Sequence, residues 1–205
     1  MVSSKPTRRA HGGRELRVTG GRLGGRRLRA PSRGVRPTAD RVREAVFARL
    51  GDLEGAAVLD LYAGSGALGV EAASRGAASV VFVERAPATR AVLRANLDAL
   101  GLGDSQVIAA DAARAVAQLG REGRRFDLVL VDPPWASGEA ARALEALVAA
   151  GVLAPQALVV VEHGRRHSLP VVRGLAVRDE RRYGETLVTR LAPDPAAGQG
   201  DRSAS

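Results

Sequence analysis

Val58-Leu59-Asp60-Leu61-Tyr62-Ala63-Gly64-Ser65-Gly66-Ala67-Leu68-Gly69 is the stretch that decides the fold. A short apolar run ends in an acid, turns through glycines and enters a helix-compatible segment. Gly64, Gly66 and Gly69 match G-x-G-x-x-G, a strand-to-helix loop whose bare backbone lets a ligand approach closely. Glu84 ends the next apolar run, 20 positions after Gly64, where an acid can hold ribose hydroxyls. An adenosine cofactor is therefore expected, either a nicotinamide dinucleotide or S-adenosylmethionine. Asp60 favours the second. A carboxylate four residues before Gly64 suits a cationic ammonium and would repel a pyrophosphate.

Outward from this loop the chain alternates. Ala57–Leu61, Val80–Val83, Gln106–Ala109, Phe126–Val131 and Ala157–Val161 read as buried strands. Leu68–Arg75, Pro87–Leu100, Ala112–Leu119 and Glu139–Ala150 read as helices. Such alternation implies a parallel sheet with helices on both faces. The end differs: Leu175–Tyr183 and Glu185–Leu191 flank Gly184 with no helix between them, an antiparallel pair closing the sheet. Asp111, after the third strand, can accept an adenine amino group or simply cap a helix.

Phe126–Val131 runs straight into Asp132-Pro133-Pro134-Trp135, which contains the only tryptophan. Ligands bind at the carboxyl ends of such strands. The tetrapeptide fits methyl transfer to an exocyclic amine of a base, a poor nucleophile because its lone pair is delocalised. Asp132 and the Pro133 carbonyl can each accept an N–H, and the prolines fix that carbonyl through φ. Trp135 offers a face for a flipped-out base, worth about 1–3 kcal/mol. The chain has no cysteine, so it cannot form the thiolate adduct used to methylate a pyrimidine ring carbon; attack by an amine needs none.

The 205 residues, 45% hydrophobic and 26% charged, suit a globular fold. No apolar run reaches the roughly 18 residues of a membrane span, and the start is basic and polar, so a cytoplasmic address is expected. Zero cysteines exclude disulfides and thiolate metal sites, and three histidines leave little for a metal, so none is expected. The net charge of +9 is uneven: residues 1–43 hold Lys5 and twelve arginines against Glu15 and Asp40. A polyanionic partner, nucleic acid foremost, is expected at this arm, with Arg17, Arg22, Arg26, Arg27, Arg36, Arg41 and Arg43 as candidate contacts. His163 and His167, beside Arg165 and Arg166, read as exposed and facing the same polyanionic partner.

Residues 1–15 read as a disordered basic extension. Leu16–Thr19, Gly20-Gly21 and a stretch through Leu28 read as a small hairpin, with residues 16–35 as an arm too short to contribute much core. Thr38 is expected to cap a helix through Leu50, stopped by Gly51, with Val42, Ala45, Val46 and Leu50 on one face. Residues 36–191 form the catalytic domain, and residues 192–205 a disordered tail.

Arg17-Val18-Thr19-Gly20-Gly21 with Gly25-Arg26-Arg27-Leu28, and Arg36-Pro37-Thr38-Ala39-Asp40-Arg41-Val42-Arg43-Glu44, are narrower signatures than the two loops above. Together the four segments resemble the bacterial RsmD-type methyltransferases of small-subunit (16S) ribosomal RNA, over about residues 16–191. The resemblance implies a Rossmann-like S-adenosylmethionine-dependent fold: a seven-stranded, mostly parallel sheet with an antiparallel last strand, preceded by a small β-hairpin. It implies methylation of the exocyclic N2 of a guanine, on 16S ribosomal RNA or the assembling small subunit, by a monomer. By motif position Asp60, Gly64 and Gly66 border the methionine part of the cofactor, Glu84 the ribose and Asp111 the adenine. Tyr62, Ser65, Arg85 and Ala112 flank them, and Asp132 through Trp135 hold the guanine. Trp135 stands where the family more often has Phe or Tyr.

Other readings are an adenine-N6 methyltransferase on DNA or RNA, a protein-amide methyltransferase, and a non-catalytic RNA-binding assembly factor. The basic arm argues against the second. Intact Asp132 and an intact glycine loop argue against the third. A nicotinamide-dependent oxidoreductase would need no Asp-Pro-Pro-Trp.

Overall fold

The order of strands places one seam above all others at the centre of the sheet. In the computed structural model, which describes residues 16–30, 39–135 and 138–198, seven strands run in the order β5-β4-β3-β6-β7-β9-β8. They are β3 (Ala57–Leu61), β4 (Ser79–Val83), β5 (Gln106–Ile108), β6 (Phe126–Val131), β7 (Leu153–Gly164), β8 (Leu175–Tyr183) and β9 (Thr186–Pro193). A separate two-stranded sheet pairs β1 (Leu16–Arg17) with β2 (Arg27–Leu28). Pairing is parallel from β5 through β7, and β9 is antiparallel to both β7 and β8. The chain winds outward from β3 to β5, then returns to place β6 on the other side of β3. The β3–β6 boundary is thus the switch point, where the loops leaving the strands diverge and open a crevice.

Side-chain alternation divides the core in two. Val58, Val80, Phe82, Leu128 and Leu130 face α1 (Ala39–Phe47), α2 (Ala67–Ser74) and α3 (Pro87–Ala99). Leu59, Leu61, Val81, Val129 and Val131 face α4 (Ala112–Arg121) and α5 (Glu139–Ala149). Strands buried on both faces need continuous apolar runs, which is why the β3, β4 and β6 segments were legible. Pro87 starts α3 at its first position, and Asp111 caps α4 by accepting the Ala113 N–H at 3.0 Å.

The hairpin contributes more to the core than expected. Leu16, Val18, Leu23 and Leu28 are all buried against α1 and the α2–α3 face. Its connection is also longer than a Gly-Gly turn. A 3-10 turn at Gly21–Leu23 intervenes, and only Gly21 of that pair is left-handed, at φ 72°. A Cβ there would overlap the Ser74 carbonyl. The first helix ends at Phe47, short of Leu50. Thr38 and Arg36 lie outside the described residues, as do residues 1–15. The start of the expected tail is ordered: β9 runs to Pro193, Leu191 and Ala192 are buried, and a 3-10 turn follows at Pro195–Gly198; residues 199–205 lie outside the described residues.

Glu71 on α2 fastens this arrangement. It is fully buried. Its carboxylate accepts the Thr19 N–H and hydroxyl, each at 2.7 Å, and pairs with Arg75 at 2.8 Å and Arg43 at 3.4 Å. Burial alone would raise its pKa, but the Thr19 and Arg75 hydrogen bonds and the Arg75 charge outweigh it and hold the group low. Arg43, expected to face RNA, is buried here instead, bonded also to Asp40 and the Arg17 carbonyl.

Glu71→Gln should cost about 3 kcal/mol of unfolding free energy at pH 7, because it strips one partner from a buried ionic cluster. A depressed carboxyl stabilises above its unfolded pKa and loses that contribution as pH falls. The gap between parent and variant in urea denaturation should therefore close on acidification below about pH 4. An equal gap at pH 3 and pH 7 would refute the ionic account.

Candidate active site

The chain leaves β3 through a strained bend. Tyr62 sits at φ 63°, unusual for a side chain that large, followed by Gly64 at 58° and Gly66 at 86°. The three glycines do different work. A Cβ on Gly66 would meet Leu93 Cδ1 at 2.5 Å, and one on Gly69 would meet Phe82 Cε1 at 2.3 Å and Asp60 Oδ2 at 2.9 Å. Those two let the loop and α2 settle on the core. At Gly64 the same position meets only the Tyr62 carbonyl, at 3.8 Å. That space is where a ligand can reach the backbone.

Asp60 lies beneath the loop, 1% exposed. Its Oδ2 accepts the Gly69 N–H at 2.9 Å, while its buried Oδ1 has no partner. Desolvation pushes its pKa up to about 8; the Gly69 hydrogen bond opposes this, and the charges of Asp132 and Glu84 add to it. Glu84 closes the other side. Its Oε2 accepts the Gly64 N–H at 3.1 Å and its Oε1 the Ala86 N–H at 2.7 Å.

A cleft of about 430 Å³ opens above these residues, lined by Tyr62, Glu84, Arg85, Ala110, Ala112, Asp132, Pro133, Pro134 and Glu139. The structure therefore brings the glycine-loop flank, Arg85, Ala112 and the Asp-Pro-Pro segment to one cavity. Asp111 stands at its edge as the α4 cap, with its neighbours Ala110 and Ala112 forming the wall. Ser65 is buried, and its carbonyl accepts from Asn96 Nδ2 at 2.9 Å. Within the tetrapeptide, Asp132 and Pro134 are exposed, Pro133 is buried and Trp135 is half-buried.

Sequence reasoning missed three residues. Glu139 is buried in the first turn of α5, pairs with Arg85 at 2.9 Å and accepts the Tyr62 hydroxyl at its carbonyl, at 3.1 Å. Burial and the charges of Glu139 and Asp111 raise the Tyr62 phenol above its ordinary range. An acid in a first helical turn is so common that nothing in the sequence singled it out. Asn96 holds the Ser65 carbonyl and both backbone groups of Arg29, tying arm to loop. Gly164 lies against Trp135.

Arg17, Arg22, Arg26, Arg27 and Arg41 are exposed; Arg26 also reaches the Ala99 carbonyl, at 3.0 Å. His163 is a correction. It is 3% exposed, with Nε2 2.8 Å from Thr189 Oγ1 and Nδ1 2.8 Å from the His167 carbonyl, so it cannot face RNA. His167 is exposed.

The family described as conserved hypothetical protein 95 matches residues 16–192. Ribosomal RNA small subunit methyltransferase D of Escherichia coli strain K12 is 36% identical over 192 residues, covering 93% of this chain and 96% of its own. The chain belongs to this RsmD family. The Haemophilus influenzae enzyme of the same name is 35% identical over 151 residues, covering 72% of this chain and 78% of its own. A solved Escherichia coli methyltransferase superposes with a TM-score of 0.79 at 36% identity, covering 88% of this chain and 98% of that one. Of the narrow signatures, the first falls in the hairpin and the described part of the second, residues 39–44, in α1; the two broader ones border the cleft.

The raised Asp60 pKa has a sign. Between pH 3.8 and about 8 the folded protein binds a proton that the unfolded chain releases, so stability should fall as pH rises through that window and level off above it. Urea unfolding between pH 5 and pH 9, with Asp60→Asn as control, measures this. A parent and variant with the same slope would exclude Asp60 as its source.

Proposed function

We propose that the protein transfers a methyl group from S-adenosylmethionine to the exocyclic N2 amine of a guanine in 16S ribosomal RNA. The observation that carries the reading is the charge of the cleft. Glu84 and Asp132 line it, Asp60 lies buried beneath the adjoining loop, and the cleft's lining cation Arg85 is paired with Glu139. A pyrophosphate would meet the like charge of these carboxylates, whereas a cationic ligand would be drawn to them. The unpartnered Asp60 Oδ1 and the open side of Gly64 are the two features that such a ligand would complete.

Gly64, Glu84 and the Asp60 edge would hold the cofactor, which when bound supplies an electrophilic methyl group. The protein's own part concerns the acceptor. Asp132 accepts one N–H of the amine and the Pro133 carbonyl the other, which localises the lone pair on nitrogen and fixes its direction. Pro133 and Pro134 restrict the backbone so that this carbonyl is in place before the base arrives. Trp135 supplies the stacking face. The names of the relatives support small-subunit ribosomal RNA as the substrate class. The exposed arginines of the hairpin give its phosphates a docking surface outside the cleft. A monomer acting in the cytoplasm on the assembling small subunit completes the reading; no helix among the described residues is long and apolar enough to cross a membrane.

Labelled S-adenosylmethionine, small-subunit RNA and subunits lacking the modification, followed by nucleoside mass spectrometry, test the whole reading. N2-methylguanosine is expected; N6-methyladenosine would overturn the base assignment. Asp132→Ala should lower turnover at least 100-fold while calorimetric affinity for the cofactor stays within about threefold, because its role is to orient the acceptor. Near-normal turnover would remove that role.

The arm has its own test. Replacing Arg22, Arg26 and Arg27 together with alanine should leave folding and cofactor affinity intact and weaken RNA binding. The salt dependence should become shallower by somewhat less than one unit of slope per lost phosphate contact. An unchanged slope would mean that these arginines do not touch phosphate.

A further inference from the structure

Gly164 is the last residue of β7 and pairs in register with Thr186 of β9. Its φ lies outside the left-handed region, so the backbone there accepts any residue. Space is what demands glycine. A Cβ at this position would stand 2.5 Å from Trp135 Cε3 and 2.9 Å from Trp135 Cδ2, with His167 Nδ1 at 3.1 Å. Interiors are packed too closely to absorb an overlap of that size without moving the ring. The indole, carried over from the end of β6, therefore lies directly on the backbone of β7.

That backbone is held from below. The His167 N–H closes a turn onto the Gly164 carbonyl at 2.8 Å. His163, buried one residue earlier, donates from Nδ1 to the His167 carbonyl, and its Nε2 meets Thr189 of β9. The Thr189 hydroxyl donates in turn to Glu180 of β8 at 2.7 Å. The turn beneath Trp135 is thus pinned to the two antiparallel strands that close the sheet.

We propose that Gly164 is the positioning residue for the acceptor base: its missing side chain sets the depth and plane of the Trp135 ring, and the His163-pinned turn keeps that floor in place. The proposal rests on the reading of Trp135 as the stacking face for a purine. A side chain at position 164 would lift the indole into the space the base needs and leave the cofactor side untouched. The pair 135 and 164 then acts as one unit, in which the aromatic residue must match the room that position 164 leaves.

Trp135 is the only tryptophan, so intrinsic fluorescence reports on it alone. Gly164→Ala, and the larger Gly164→Val, should red-shift the emission and increase acrylamide quenching. Cofactor affinity should stay within about threefold, while kcat/KM for small-subunit RNA falls at least tenfold. Combining Gly164→Ala with Trp135→Phe should return activity to the level of Trp135→Phe alone, since the smaller ring vacates the contested space. Unchanged fluorescence in Gly164→Val would overturn the proposal. So would a double variant no better than Gly164→Ala, because the loss would then come from a distorted β7–β9 ladder. Full activity of Trp135→Ala would instead strike the stacking reading itself, whatever position 164 does.

Discussion

Asp60 spends its burial on one hydrogen bond, and the shape of the site follows from it. The carboxylate sits at the end of the central strand, out of water, and receives the N–H of Gly69 in the first turn of α2. Strand and helix are thereby joined nine residues apart, and the chain between them has to leave the sheet and return within that length. It does so through left-handed conformations at Tyr62, Gly64 and Gly66. Two glycines of the fingerprint are consumed by this internal fit, against Leu93 and Phe82. Only Gly64 keeps open space at the position of a Cβ, and its N–H is held by Glu84. A fingerprint commonly explained by the ligand is here largely explained by the protein's own packing.

The same helix carries the second constraint. One turn beyond its start, α2 presents Glu71 to Thr19, Arg43 and Arg75. At its end, Ser74 accepts the Leu23 N–H and donates to the Gly20 carbonyl. On α3, Asn96 bonds Arg29 of the arm and Ser65 of the glycine loop at once. The arm and the cofactor loop are therefore referenced to common helices. That shared anchorage is what allows exposed arginines on a 13-residue hairpin, Leu16–Leu28, to stand in a defined relation to a cleft on the main sheet.

Features written in local pattern were legible, and those made by distant partners were not. The apolar runs of β3, β4 and β6, the Pro87 start of α3 and the Asp111 cap each depend on neighbouring residues and fell where expected. The hairpin also formed where expected, but its burial was not legible. Arginine and glycine dominate its sequence, and its four buried apolar residues gain a core only by docking on α1 and α2. Arg43 shows the Asp40 pairing at helical spacing, yet its decisive partner Glu71 lies 28 residues away. His163 was read from Arg165 and Arg166 beside it, whereas strand alternation on the lengthened β7 turns it inward to Thr189. The cleft's two motifs were found because they are compact. Glu139, Asn96 and Gly164, which brace them, are ordinary residues made special only by what folds against them.

The distribution of charge links the two halves of the proposed activity. The arm is positive, while the cleft is lined by the carboxylates Glu84 and Asp132, and its cation Arg85 is paired with Glu139. A phosphate backbone is drawn to the first surface and repelled by the second. Among the parts of a nucleotide, only the phosphate meets like charge in the cleft, so the neutral base can enter it. The strand would stay on the arginines while one base turns in towards Asp132 and Trp135. Extrusion of a base costs a few kcal/mol, and stacking on the indole would offset about 1–3 kcal/mol of that. Phosphate contacts on the arm would supply the remainder, at a distance from the reacting amine.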